Sequence, residues 1–364
     1  MTDPDSPPAP RANPDLVGHA AAEATLRQAF ESDRLAHAWM ITGPRGIGKA
    51  TLAYRFARFV FAGGGAQGDL MAMAGGPAVG DGLYIAPEDP VFHRVAAEGH
   101  ADLITIERRA DPKSKSDQIR KAIVVDDARK LGGFLALTPA EGGWRIAVID
   151  AVDEMNANAA NAVLKLVEEP PARALILLIC HVPGRVPATL RSRCRRLPLA
   201  PLEDDQVAGL LATAHPELDA GQRERLARLA EGSPGHAFTL AEMGGADLYD
   251  EIIRLVASAP GIDPRALHAF ADRMARRGAD AAFATAMVLL AGWIARLVAA
   301  GARGRLPDTE QDTARRFLKA RSLEQWVELW EKITDLTARA DRVNLDRKQV
   351  VLSVFAALET TARG

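Results

Sequence analysis

The stretch AWMITGPRGIGKATLAYRF, Ala38 to Phe56, constrains this chain more than any other. Its apolar opening, Ala38 to Thr42, reads as a short buried strand. From Lys49 to Phe61, Leu52, Phe56, Phe59 and Val60 recur at helical spacing. Gly43, Gly46 and Gly48 stand between the two. Strand, glycine turn, helix is the order of a phosphate-binding loop: the glycines let backbone N–H groups turn around an anion at a helix N-terminus, and Lys49 reaches the outer phosphates. The pattern G-x-x-x-x-G-K ends in Ala50, where Ser or Thr normally ligates magnesium. Thr51 does not replace it, because the next helical residue points roughly 100° away. Metal binding at this loop is expected to be weak.

The rest of the composition sets bounds. A chain of 364 residues, 48% hydrophobic and 25% charged, has the length for two or three domains with a substantial core. A net charge of −2 argues against strong unaided nucleic-acid binding, which needs a clear excess of Lys and Arg, so any DNA contact is local or shared. Two cysteines, Cys180 and Cys194, are too few for a disulfide framework or a four-thiolate zinc site. The acidic, proline-rich residues 1–15 lack the pattern of a secretion signal and read as a disordered lead-in, which predicts a cytoplasmic protein. Ala281 to Ala300 has the length to span a bilayer, but its alanine load is weakly apolar and Arg296 interrupts it, so it reads as a buried helix.

Along the chain, residues 16–200 alternate apolar strands with helices, the pattern of an α/β core with a parallel sheet and flanking helices. Further strands are expected at Asp102–Arg108, Trp144–Asp150 and Ala174–Cys180. Gly63–Gly82 reads as a glycine-rich surface loop and Asp111–Lys121 as a solvated one. Asp126 is placed to cap a helix running toward Leu137, and the helix through Asn161 and Val167 stops at Pro170 and Pro171. No strand signal follows Pro201. Residues 201–246 form a small helical lid and 247–364 an all-α C-terminal domain. There Leu323, Trp326, Val327, Trp330, Ile333 and Leu336 make one apolar stripe.

Asp150 closes an apolar strand, the place of the metal-orienting carboxylate in a phosphate-loop site. Asp153 and Glu154 follow in a turn that caps a helix. RSRCRR, Arg191 to Arg196, is by composition an ordinary solvated basic run. Pro183 and Pro187 fix it to the rim of the sheet. His37 reads as a packed residue. Glu168 and Glu169 lie at a helix C-terminus, where the dipole disfavours carboxylates; either solvent makes that cheap or they face a partner's arginines.

Three runs, RLAHAWMITGPRGIGKATLAYRFAR, GGWRIAVIDAVDEMNANAANAVLKLVEEPP and ILLICHVPGRVPATLRSRC, together resemble bacterial clamp-loader subunits of the AAA+ ATPase family, and RVNLDRKQVVLSVFAAL resembles their collar. The resemblance covers nearly the whole chain. It implies an AAA+ core, a lid and an oligomerising collar. It also implies a pentameric ring with ATP-hydrolysing tau or gamma subunits and a delta subunit, which opens a sliding clamp and places it on primed DNA, with no membrane involved.

In that family the motif matched by Ser192, Arg193 and Cys194 supplies an arginine finger to the adjacent subunit's nucleotide. A guanidinium, always charged and planar, suits that role. Hydrolysing relatives carry a glutamate after the strand-end aspartate; here Ala151 stands there. The lid arginine falls at Gly235, the polar sensor at Cys180 or His181, and Val17, Gly18 and His19 match the entry to the adenine pocket. Relatives with a zinc site place it where this chain has Gly63–Gly82, and no zinc is expected. The resemblance thus implies ATP or ADP held at Val17, Gly18, Gly43, Gly46, Gly48, Lys49, Ala50, Thr51 and Asp150 without turnover, or a nucleotide-free scaffold. The rival is an autonomous ATPase using Lys49, Asp150 and a displaced base, Asp153 or Glu154.

Overall fold

A computed structural model of the chain describes residues 8–64, 82–108, 120–141, 143–304, 311–343 and 345–363. Within them the chain divides into two compact units: Met1–Leu218 with Ala230–His236, and Asp219–Leu229 with Ala237–Gly364.

The first unit is built on a five-stranded sheet: β1 (Ala38–Thr42), β2 (Leu103–Glu107), β3 (Arg145–Asp150), β4 (Ala174–Cys180) and β5 (Arg195–Pro198), in the order β2-β3-β4-β1-β5. Every pairing is parallel. Parallel neighbours need crossovers, supplied by helices that cover both faces. α1 (Ala20–Glu31), α2 (Lys49–Phe61) and α3 (Pro90–Ala96) accompany one face; α4 (Val125–Leu135), α5 (Ala157–Glu168) and the short α6 (Ala188–Arg191) accompany the other. The strands alternate between two cores. Trp39, Ile41, Val148 and Leu177 pack with α1 and α2, whereas Met40, Ile149, Ile176 and Leu178 pack with α4 and α5. Burial on both faces is why β4 is an unbroken apolar run, each such side chain contributing about 1.5–3 kcal/mol.

The α/β core expected from the sequence, with its parallel sheet, flanking helices and helical C-terminal region, is the observed architecture. Four strands fall where the apolar runs place them. The fifth, β5, went unread because Arg195 and Arg196 open it and only Leu197 among its residues is buried. Asp126 is not a cap: Val124 precedes α4, and Asp126 sits in the first turn beside Arg129.

Residues 11–14 run as a strap along α2. Arg58, buried in α2, donates to the carbonyls of Arg11 (3.0 Å) and Asn13 (2.7 Å), and Arg55 donates to Pro14. Guanidiniums buried on a core helix need acceptors, and this strap supplies them. Residues 1–7, 65–81 of the glycine-rich loop and 111–119 of the solvated loop lie outside the described residues.

α7 (Asp204–Ala214) follows the sheet. The second unit contains α8 (Ala220–Leu229), most of α9 (Pro234–Glu242), α10 (Gly245–Ser258), α11 (Pro264–Met274), α12 (Asp280–Arg303), α13 (Gln311–Ala320), α14 (Leu323–Val343) and α15 (Arg347–Ala362). α12 has the length and composition to cross a membrane, but its Phe283, Met287, Leu290, Ile294 and Leu297 face is packed inside this unit. Phe317 stacks on Trp326 at 5.1 Å, and Trp293 meets Phe317 edge-on at 5.6 Å. The stripe on α14 is narrower than its sequence suggests: Trp326, Leu329 and Ile333 are buried, while Val327 and Trp330 remain exposed.

Candidate functional site

The phosphate-type loop lies between β1 and α2. Gly46 (φ +78°) and Gly48 (φ +102°) take left-handed conformations that a Cβ disfavours, which explains the residue choice. Lys49 opens α2 and is 3% exposed. Its Nζ donates to the carbonyls of Gly43 (2.8 Å) and Pro44, so the lysine folds back onto its own loop. Burial lowers its pKa to about 8, against the opposing pull of Asp150 and Asp153. The Asp150 carboxyl, at the end of β3, is raised by burial and lowered in part by Lys49. Ala50 packs half-buried against the core and Thr51 is 7% exposed. Of the hydroxyl and the carboxylate expected to hold magnesium, only the Asp150 carboxylate is present, so the residues do not make a full metal site.

Neither displaced-base candidate is free. Asp153 accepts the backbone N–H groups of His181 (2.8 Å) and Val182 (3.1 Å), tying the turn after β3 to the loop after β4. Glu154 is held by Arg45 (3.0 Å) and Arg108 (2.6 Å). A carboxylate whose lone pairs serve two donors or two guanidiniums is a poor acceptor for a proton from water. Of the two sensor candidates, Cys180 is a core residue whose thiol burial pushes up to about 12. The His181 ring is half-buried with Nδ1 unpartnered, and burial together with Lys49 lowers its pKa to about 4, so it is neutral at physiological pH.

The loop is covered from two sides. His19 Nε2 lies 2.7 Å from the carbonyl of Ile47, and Leu16 packs on Gly48. Val17 is half-buried, and Gly18, at φ +83°, lies against Leu202. From the other side Ser233 Oγ donates to Arg45 O (2.8 Å), and Gly235 N donates to Gly46 O (2.9 Å). A Cβ on Gly235 would stand 3.0 Å from Gly46 Cα, so the position matched to a lid arginine is a backbone-on-backbone contact.

The Ser192–Arg193–Cys194 motif sits between α6 and β5. Cys194 is buried with its thiol pushed up to about 12, whereas Arg193 points outward with its side chain 44% exposed. Its Nε lies 2.8 Å from Glu168 Oε1 at the end of α5, and its Nη1 donates to Thr189 O at 3.0 Å. His37 is the packed residue expected, with Nε2 at 2.8 Å from Val167 O. Among the described residues no group of three or more His, Cys, Asp or Glu is arranged to hold a metal.

Leu16, His19, Ser233 and Gly235 therefore lie against residues 45–48, Asp150 and His181 share the electrostatic surroundings of Lys49, and Arg193 lies elsewhere, between α6 and β5 and beside Glu168. Reasoning on sequence missed the Glu154–arginine cluster, the Ser233–Gly235 cover and the Glu168–Arg193 pair. Only the last had a local signal, two glutamates at a helix end.

Residues 87–203 match the family described as DNA polymerase III, delta subunit; the match contains Asp150, Glu168 and Arg193 and begins beyond the phosphate-type loop. Over 201 residues the chain is 35% identical to DNA polymerase III subunit delta' of Pseudomonas aeruginosa, covering 55% of this chain and 54% of that one. Over 239 residues it is 28% identical to DNA polymerase III subunit tau of Escherichia coli, covering 64% of this chain and 33% of that one. The chain thus spans about half, or less, of the length of these curated relatives. A DNA polymerase III gamma subunit-related protein from Thermotoga maritima aligns at a TM-score of 0.41 and 16% identity, over 94% of this chain and 100% of that one. The sequence matches support the resemblance to clamp-loader subunits, and to delta-prime in particular.

Proposed function

We propose that this chain is a delta-prime-like subunit of a DNA polymerase III clamp loader, a cytoplasmic partner of tau/gamma and delta subunits. In this reading the assembled ring places the sliding clamp on primed DNA, and this subunit contributes Arg193 to a neighbour's ATP site while hydrolysing little or no ATP itself. One contrast carries the reading: Lys49 is buried and spent on its own loop and Asp153 and Glu154 are engaged, whereas the Arg193 guanidinium, paired only with the half-exposed Glu168 and with Thr189 O, is 44% exposed. Residues 201–246 serve as the lid and 247–364 as the oligomerising collar.

Within this role Arg193 is the catalytic residue and acts in trans, its fork engaging phosphate oxygens as charge builds in transfer. ATP or ADP held at Lys49 without turnover is the cofactor state that fits the retained glycines. A nucleotide-free scaffold is the second reading, favoured by the Gly43 and Pro44 carbonyls that already occupy the Lys49 ammonium. Mass measurement of the chain mixed with tau/gamma and delta subunits tests the assignment. A discrete complex containing one copy of this chain supports it, and a chain that stays alone contradicts it. Equilibrium binding of labelled ATP separates static binding, which saturates, from the scaffold, which gives no saturable signal.

A further inference from the structure

The helical C-terminal unit contains a cleft lined by its own helices. Its volume is about 870 Å³, within the range of small-molecule sites. Three helices turn arginines into it: Arg225 and Arg228 from α8, Arg254 from α10 and Arg296 from α12. Two carboxylates, Glu224 and Asp250, share the lining with them.

Arg225 and Arg228 keep donor capacity that the carboxylates lining the cleft leave unused. Asp250 is already engaged, with Oδ2 3.5 Å from Arg225 Nη2 and its carbonyl accepting from Arg254 Nε at 3.3 Å. Arg228 has no carboxylate partner among the described residues, and Arg225 Nε is buried without any acceptor. A buried donor left unmade is costly, and an anion entering the cleft supplies what it lacks. Arg296 is oriented by Tyr249: its Nη2 donates to the phenolic oxygen at 3.2 Å, and its guanidinium carbon lies 5.8 Å from the ring centroid. Trp293 and Leu297 give the cleft an apolar floor.

We infer that this cleft binds a phosphate-bearing anion, its oxygens held by the forks of Arg225, Arg228 and Arg254. Guanidinium forks match phosphate oxygens in pairs, and several converging forks favour a polyphosphate or a phosphodiester backbone over an isolated carboxylate. Tyr249 and Trp293 are 7% and 3% exposed, too deep to serve as an open stacking platform, so recognition falls on phosphate rather than on bases.

Calorimetry on the full chain at low salt tests this with two probes: inorganic tripolyphosphate, and a twelve-residue oligodeoxythymidylate without terminal phosphates. Saturable binding is expected for at least one. Preference for tripolyphosphate identifies a free polyphosphate as the source, and preference for the oligonucleotide a strand backbone. Affinity should fall about tenfold or more in Arg228→Gln/Arg254→Gln, two exposed positions, with the unfolding temperature kept as a check on folding. It should weaken as salt rises and survive Lys49→Ala. Absence of saturable binding by both probes overturns the proposal. So does binding that disappears in Lys49→Ala yet persists in the arginine variant, or a polyglutamate peptide that binds as tightly as tripolyphosphate.

Discussion

Glu168 Oε1 lies 2.8 Å from Arg193 Nε, so the guanidinium proposed to act on a neighbour's nucleotide is held in the free subunit by its own chain. The pair is 39% and 44% exposed, a setting in which ion pairs are worth about 0–1 kcal/mol. A contact that weak holds the arginine without locking it, and phosphate oxygens can outcompete a half-solvated carboxylate. It also gives Glu168 a reason to sit at a helix C-terminus, where the backbone dipole opposes it.

Replacing Glu168 with Gln should change the stability of the isolated chain by less than about 1 kcal/mol in urea unfolding. The ATPase rate of the reconstituted complex should hold or rise, because the arginine is released from a competitor. A loss of rate as deep as that of Arg193→Ala would show instead that Glu168 positions the arginine for reaction.

Gly235 rests on Gly46 with no space for a side chain. Gly235→Ala should therefore loosen the cover over the phosphate-type loop and destabilise the first unit by about 1–3 kcal/mol. Amide hydrogen exchange across residues 43–49 should quicken. Unchanged exchange there would remove the cover from the account.

The His181 ring has its pKa lowered to about 4 by burial and by Lys49, Arg45 and Arg108, with Asp153 opposing them. An unfolded histidine takes its proton near 6.5, so between about 6.5 and 4 the unfolded state binds more protons than the folded one. Stability should fall as pH drops through that window, and His181→Asn should flatten the fall. Equal slopes for the two proteins across pH 4–6.5 would contradict the environment described for this ring.

Cys180 and Cys194 are both buried, with thiols pushed up to about 12. Neither should react with a thiol reagent at pH 8 in the native chain, and both should react in denaturant. Rapid native labelling of one equivalent would mean that a wall of the core opens more readily than its packing implies.

Elements with strong local signals were legible in the sequence, and those that depend on distant partners were not. β1, β3 and β4 are runs that pair on both sides, so their apolar content alone marks them. β5 is a short edge strand opened by Arg195 and Arg196, and Arg195 lies over the Trp39 ring at 4.6 Å, a contact no local pattern announces. The glycines and lysine of the loop were visible because φ requirements are local. The fates of Asp153, Glu154 and Ser233 were not, since each is set by a partner at least 28 residues away. The contacts of residues 11–14 were not legible for the same reason: their carbonyls accept from Arg55 and Arg58, which are distant in sequence.

The central claim is that Arg193 works in a neighbouring subunit's site. The direct measurement is the steady-state ATPase rate of a complex reconstituted from tau/gamma, delta and this chain, with wild-type or Arg193→Ala protein. The account predicts a fall of tenfold or more, arginine fingers acting in trans being worth about 10³–10⁵ in rate, with assembly intact by mass. An unchanged rate in a fully assembled complex would contradict it.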